Sequence, residues 1–228
     1  MIVIKSPRLR VALRWAIPCI AMPVLVFLGA VFLDARHHLL VSFGVATLAV
    51  VLFIAGFERR LTGSRRMVLV AVMTALCIAG RFIPFFKPVT ALTIITSMYM
   101  GGESGFLTGA MAAVLSNFYF GQGPWTPFQM LAWGMIGLIA GWLHRPLKQS
   151  RVFLLVYGAL SGLIYSLMMD VWTVLWYDGG FRWELYLTAL VTALPHTAMY
   201  SLSNLAFLWF LARPFGEKLE RVRLKYGM

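Results

Sequence analysis

The stretch Gly101-Gly102-Glu103-Ser104-Gly105, an apolar run, and then Gly121-Gln122-Gly123-Pro124-Trp125-Thr126-Pro127 together decide how this chain folds. The segments around these two breaks are apolar and helix-length, and the glycines and prolines interrupt helical hydrogen bonding. Irregular backbone at membrane depth is tolerated only where protein buries it or water fills a cavity. The pattern therefore predicts a membrane hairpin whose second break shapes a binding site.

Composition fixes the solvent. Of the residues 61% are hydrophobic and 12% charged, with a mean hydropathy of +0.81, whereas soluble domains carry about 25% charged residues. The chain reads as an all-α integral membrane protein. Eight candidate spans run over about 11–33, 39–57, 67–83, 89–101, 104–120, 127–143, 152–177 and 184–212, against the roughly 20 residues a helix needs to cross. The first run is too long for a cleavable signal and lacks a small-residue cleavage site. Arg14 lies near its start, where a long side chain can reach the headgroups. Cys19 and Cys77 both sit in apolar stretches and read as small hydrophobes.

Orientation follows from the basic residues. Four fall within 5–14, four within 59–66, three within 145–151 and five within 213–225, so 16 of the 20 Lys and Arg residues occupy alternate connections. Positive charge marks the cytoplasmic side, which places both termini there and requires an even number of spans. The net charge of +12 then reflects topology and contact with anionic lipid. Nucleic-acid binding is excluded, because no soluble domain interleaves basic and aromatic residues.

Gly105, Gly109, Ala113 and Asn117 recur at spacing four, a face on which helices approach closely. Asn117 at its outer end is either a ligand contact or a helix–helix hydrogen bond. Ala71, Ala75 and Ala79 form a second such stripe. Asp170 lies about 28 Å along the helix entering near Arg151, close to the outer interface, and His196 about 18 Å into the returning helix. Ionisable groups at such depth are functional candidates by default. Asp170 is either a ligand contact or an interfacial acid paired with Arg81 or Arg182. His196 follows Pro195 and either binds ligand or satisfies backbone freed by the kink. Trp125, Trp133 and Gln129 supply flat rings and a neutral donor–acceptor, while Tyr119, Trp172, Trp176, Tyr177 and Trp183 suit an interfacial aromatic belt.

The run from Arg66 to Leu76, then Arg81-Phe82-Ile83-Pro84, the Gly-Gly-Glu-Ser-Gly-Phe turn and Gly121 to Gln129 resembles the substrate-binding S component of energy-coupling factor (ECF) vitamin transporters. The resemblance covers about 65–213, a six-helix unit. It divides the chain into an N-terminal two-helix hairpin with a basic linker (1–64), the substrate-binding core (65–213) and a basic cytoplasmic tail (214–228). It implies a multi-pass protein of a prokaryotic plasma membrane that binds a vitamin outside, and the candidate contacts are Arg81, Asn117, Trp125, Gln129, Trp133, Asp170 and His196. It also implies docking through Ala71, Ala75 and Ala79 onto a transmembrane coupling subunit served by two cytoplasmic ATPases.

No catalytic cofactor is expected, and ATP enters only through those partners; the sequence holds no Gly-x-x-x-x-Gly-Lys-Ser/Thr loop. The loop from Gly121 to Gln129 is most similar to members associated with cobalamin or its precursors. Metal-transporting members carry a histidine at position two, where this chain has Ile2. The extra hairpin departs from the family pattern, and bracing the core, binding lipid or a partner, and modulating docking all stay open for it. Two other classes also stay open: an intramembrane enzyme using Asp170 and His196, and a lipid-binding or scaffold protein.

Overall fold

The computed structural model describes residues 6–32, 38–56, 60–178 and 181–226. Among these every regular element is helical. The chain runs α1 (Pro7–Ala16), a π turn (Ile17–Ala21), α2 (Met22–Phe32), α3 (His38–Ala55), α4 (Arg60–Gly80), α5 (Val89–Met100), α6 (Gly102–Phe120), α7 (Thr126–Trp142), the short α8 (His144–Gln149), α9 (Arg151–Asp178) and α10 (Trp183–Tyr226). Pro7–Phe32 and Arg151–Leu175 are each long and apolar enough to cross a bilayer, and Leu39–Ala55 and Val89–Met100 are shorter apolar helices. The side chains of Trp176 and Tyr177, and parts of the connections 34–38 and 178–184, lie outside the described residues.

Local chemistry explains the boundaries. Ser6 caps α1 by accepting from the Leu9 amide at 3.4 Å. Pro18 has no amide to donate, and the helical ladder widens into the π turn, where Met22 bonds Ile17. One residue, Gly101 at φ +89°, joins α5 to α6. Hydroxyls within apolar helices bond back to their own backbone, as Thr96 does to Leu92 at 2.7 Å and Thr108 to Ser104 at 2.9 Å. Each of these bonds satisfies a hydroxyl that lipid could not.

The small-residue stripe of α6 packs against α7. A Cβ on Gly141 would sit 2.2 Å from the Gly102 backbone, and one on Gly109 2.7 Å from that of Trp133. At the opposite side of the core, α9 and α10 pair closely: Ser201 donates to the Ala159 carbonyl at 2.9 Å and Asn204 to that of Gly158 at 3.0 Å.

Long-range contacts collect the basic segments at one end of the bundle. Arg14 bonds Glu103 at 2.5 Å, Lys148 pairs with Glu220 at 3.2 Å, and Arg65 donates to the Tyr226 carbonyl at 3.0 Å. The opposite, loop end is aromatic, with Phe82 against Tyr119 and Phe120 at 4.8 and 5.0 Å.

Two details depart from the sequence reading, and a third answers a question it left open. Arg14, expected to reach for headgroups, turns inward to Glu103. The basic segment after 213 continues α10 without a break to Tyr226, through Pro214. The N-terminal hairpin braces the core: α3 lies on α6 and α7, Phe27 meets Phe128 edge-on at 5.8 Å, and Trp15 stacks on Trp142 at 4.9 Å.

Candidate functional site

A hydrogen-bonded chain of buried polar groups crosses the loop end. It begins at Arg81, one residue past the end of α4, where Gly80 lets Pro88 of the returning loop close in. Arg81 Nη1 donates to Ser116 Oγ and to Asn117 Oδ1, the latter at 2.6 Å. Asn117 Nδ2 donates in turn to Thr126 Oγ1 and Gln129 Oε1, both at 2.8 Å, and Gln129 Nε2 donates to the Tyr165 hydroxyl at 3.0 Å. Gln122 completes the loop by bonding the Val114 carbonyl at 2.7 Å and accepting from Thr126 at 3.0 Å. Four elements are thereby tied together: the α4–α5 loop, α6, α7 and α9.

Aromatic rings enclose the charge. Trp133 and Tyr165 stack at 5.1 Å with 17° between planes, Tyr200 meets Tyr165 edge-on at 5.2 Å, and the Arg81 guanidinium lies 4.8 Å from the Phe120 ring and 5.5 Å from Trp133. Arg81 is only 9% exposed, and its Nε has no hydrogen-bond partner among the described residues. A buried cation is tolerated only when bonded on several sides. A cavity of about 60 Å³ opens beside it, lined by Arg81, Lys87, Gln129, Trp133, Tyr165 and Tyr200 with Asn204 behind. Burial, helped by the Arg81 charge, holds the Lys87 ammonium below the usual lysine range. The space thus presents cationic and amide donors along one side and flat rings along another.

Of the residues expected from sequence, Arg81, Asn117, Gln129 and Trp133 come together here. Asn117 is 1% exposed, and its two amide atoms bond Arg81 and Gln129. Trp125 is half-buried in the loop above, edge-on to Trp172 at 5.7 Å. Asp170 is buried on α9 within electrostatic reach of Tyr200 and Tyr186, and its Oδ2 has no hydrogen-bond partner among the described residues. His196 stands apart, exposed on α10 and off the cavity wall. No hydrogen bond or ion pair between it and Asp170 is found among the described residues. Tyr165, Tyr200, Lys87 and Asn204 were missed; the argument that singled out Asn117, an amide inside an apolar helix, applies equally to Asn204.

A sequence model of the family described as "ECF-type riboflavin transporter, S component" matches residues 62–213. The chain belongs to that family. No curated protein and no solved structure matches it. As an S component it is a membrane protein and the substrate-binding subunit of an ECF transporter, a family of transporter parts rather than enzymes, which works with a coupling subunit and ATPases. The matched residues take in the whole polar chain from Arg81 to Tyr165 and leave the N-terminal hairpin outside.

The alanine stripe lies within the match and away from the cavity. Ala71, Ala75 and Ala79 are all exposed on α4, next to exposed Val68, Val72 and Leu76. The hairpin packs on α6 and α7 and leaves this face uncovered.

Proposed function

We propose that this S component captures a flat, carbonyl-rich vitamin of the riboflavin class at the loop end and releases it on the basic side when partner ATPases drive the transporter. The observation that carries the reading is the Arg81 guanidinium, fixed by Ser116 and Asn117 against the stacked Trp133 and Tyr165 rings. An isoalloxazine offers an aromatic face for those rings and ring carbonyls and nitrogens that accept from Arg81, Lys87 and Gln129. The family match adds riboflavin by name. The cobalamin expectation gains no support from that match.

Capture requires opening. A cavity of about 60 Å³ is well below the roughly 300–1,000 Å³ of small-molecule sites. The outer half of α10 is the part that yields: no residue from 183 to 200 is buried, and the first buried position is Ser203. Few fully buried side chains lower the cost of local opening, which has to break the Thr197–Ser166 bond at 2.6 Å and the Tyr186 bond to the Leu167 carbonyl at 3.3 Å. Asp170 and Trp125 border the space that opening creates and join the ligand's surroundings there.

In this reading the loop end faces outward and the basic end, with both termini, lies in the cytoplasm. The exposed Ala71–Ala75–Ala79 face receives the coupling subunit, since small residues let a partner helix approach closely. The test is purification of the chain from cells grown with riboflavin or with cobalamin. Stoichiometric bound flavin, absent from the Arg81→Gln variant, is expected; bound corrinoid, or no flavin on a folded sample, overturns the assignment.

A further inference from the structure

A second cavity, about 380 Å³, opens at the other end of the molecule from the Arg81 site. Three arginines line it, Arg14 from α1, Arg66 from α4 and Arg223 from the end of α10, together with His144 and a single carboxylate, Glu103. Glu103 is engaged by two of them, Arg14 at 2.5 Å and Arg66 at 3.7 Å, and Arg66 also donates to Ser104 Oγ at 2.6 Å. Outside the lining, Glu220 contacts Arg223 at 3.7 Å but is held more closely by Lys148 at 3.2 Å. Among the described residues that line the space, three guanidiniums meet one carboxylate. The His144 Nδ1 donates to the Gly141 carbonyl at 2.9 Å, which leaves its Nε2 for another partner.

The backbone reinforces the charge. Gly101 and Gly102 bring the N-terminus of the 19-residue α6 to the cavity wall, where amide dipoles favour an anion. Gly101 allows this because a Cβ there would meet Arg66 Nη2 at 2.7 Å. Guanidinium forks converging on such a space match phosphate oxygens in geometry as well as charge.

We infer that this basic cavity binds a phosphate-bearing anion, either the headgroup of an anionic lipid or a soluble phosphate ester. Two of its three arginines, Arg14 and Arg223, lie outside the family match of 62–213, so the site is completed by what this chain adds to the shared core. An occupant would tie the hairpin, α4, α6 and α10 together, and the inference does not depend on the identity of the transported vitamin.

The test uses the full chain and two probes. Lipid retention is measured by native mass spectrometry after purification from nanodiscs containing equal phosphatidylglycerol and phosphatidylcholine. Soluble phosphate is read as the glycerol-3-phosphate dependence of the melting temperature in detergent. The variants are Arg14→Gln, Arg223→Gln and, as a control, Arg213→Gln, whose side chain is 88% exposed on the same helix and outside the cavity. A preference for phosphatidylglycerol that falls about fivefold in Arg223→Gln, the effect of one well-placed arginine, and not in Arg213→Gln identifies a lipid. A thermal shift by glycerol-3-phosphate lost in the same variant identifies a soluble ester. Arg223→Gln carries the test independently of Arg14→Gln, which also loosens the ion pair to Glu103. No response to either probe, or equal losses in Arg223→Gln and Arg213→Gln, overturns the site.

Discussion

The Arg81 guanidinium donates to Asn117 Oδ1 at 2.6 Å, and this bond places the charge of the α4–α5 loop over the rings of α7. Asn117 cannot be replaced without releasing both Arg81 and Gln129, because its carbonyl oxygen holds one and its amide nitrogen the other. Asn117→Ala is expected to cost about 1–3 kcal/mol of stability, the penalty for buried polar groups left unpaired. It should also weaken flavin binding. Melting and ligand titration of the same preparations check this, and an unchanged affinity would mean that Arg81 does not need its anchor.

Trp133 tests the ring side of the site. Trp133→Ala removes a stacking surface worth about 0.5–1.5 kcal/mol beyond area burial, an affinity loss of about three- to tenfold. Trp133→Phe keeps a ring and should recover part of it. Equal losses in the two variants would show that the indole acts through shape alone.

The exposed alanine face makes a different kind of prediction. Ala71→Arg or Ala75→Arg places a long cation where close helix approach is expected, far from the cavity. Ligand binding by the isolated chain should persist while co-purification with the coupling subunit and ATP-dependent uptake are lost. Uptake at the normal rate would remove that face from the account.

Glu103 is 6% exposed at its side chain and Arg14 49%, so the two halves of this ion pair are unequal. Glu103→Gln removes the buried charge that Arg14 and Arg66 both contact and is expected to cost about 3 kcal/mol. Arg14→Gln removes a half-exposed partner and should cost less than about 1 kcal/mol. Thermal melting of both single variants and the double variant measures the coupling between the hairpin and the core.

Much of the helical frame was readable because glycine and proline mark its ends. The expected spans 89–101, 104–120 and 127–143 correspond to Val89–Met100, Gly102–Phe120 and Thr126–Trp142. The site was readable only in part, since spacing along a helix gives depth but not rotation. His196 was placed at a functional depth, yet α10 turns it outward, off the cavity wall. Asn117 was recognised as unusual, but a stripe identifies a face and cannot say that Arg81 and Gln129 consume both ends of its amide. Arg14 finds Glu103 across 89 residues of sequence, a pairing no local pattern encodes. Tyr165 and Tyr200 look like ordinary apolar positions until α9 and α10 are set against α7.

Titration of the detergent-purified full chain with riboflavin, read by tryptophan and flavin fluorescence and run beside Arg81→Gln, tests the central claim most directly. Saturable quenching at submicromolar riboflavin in the wild-type protein, weakened at least about tenfold in the variant by loss of a charge-assisted hydrogen bond, is the predicted result. Equal riboflavin affinity in the two folded proteins would contradict it.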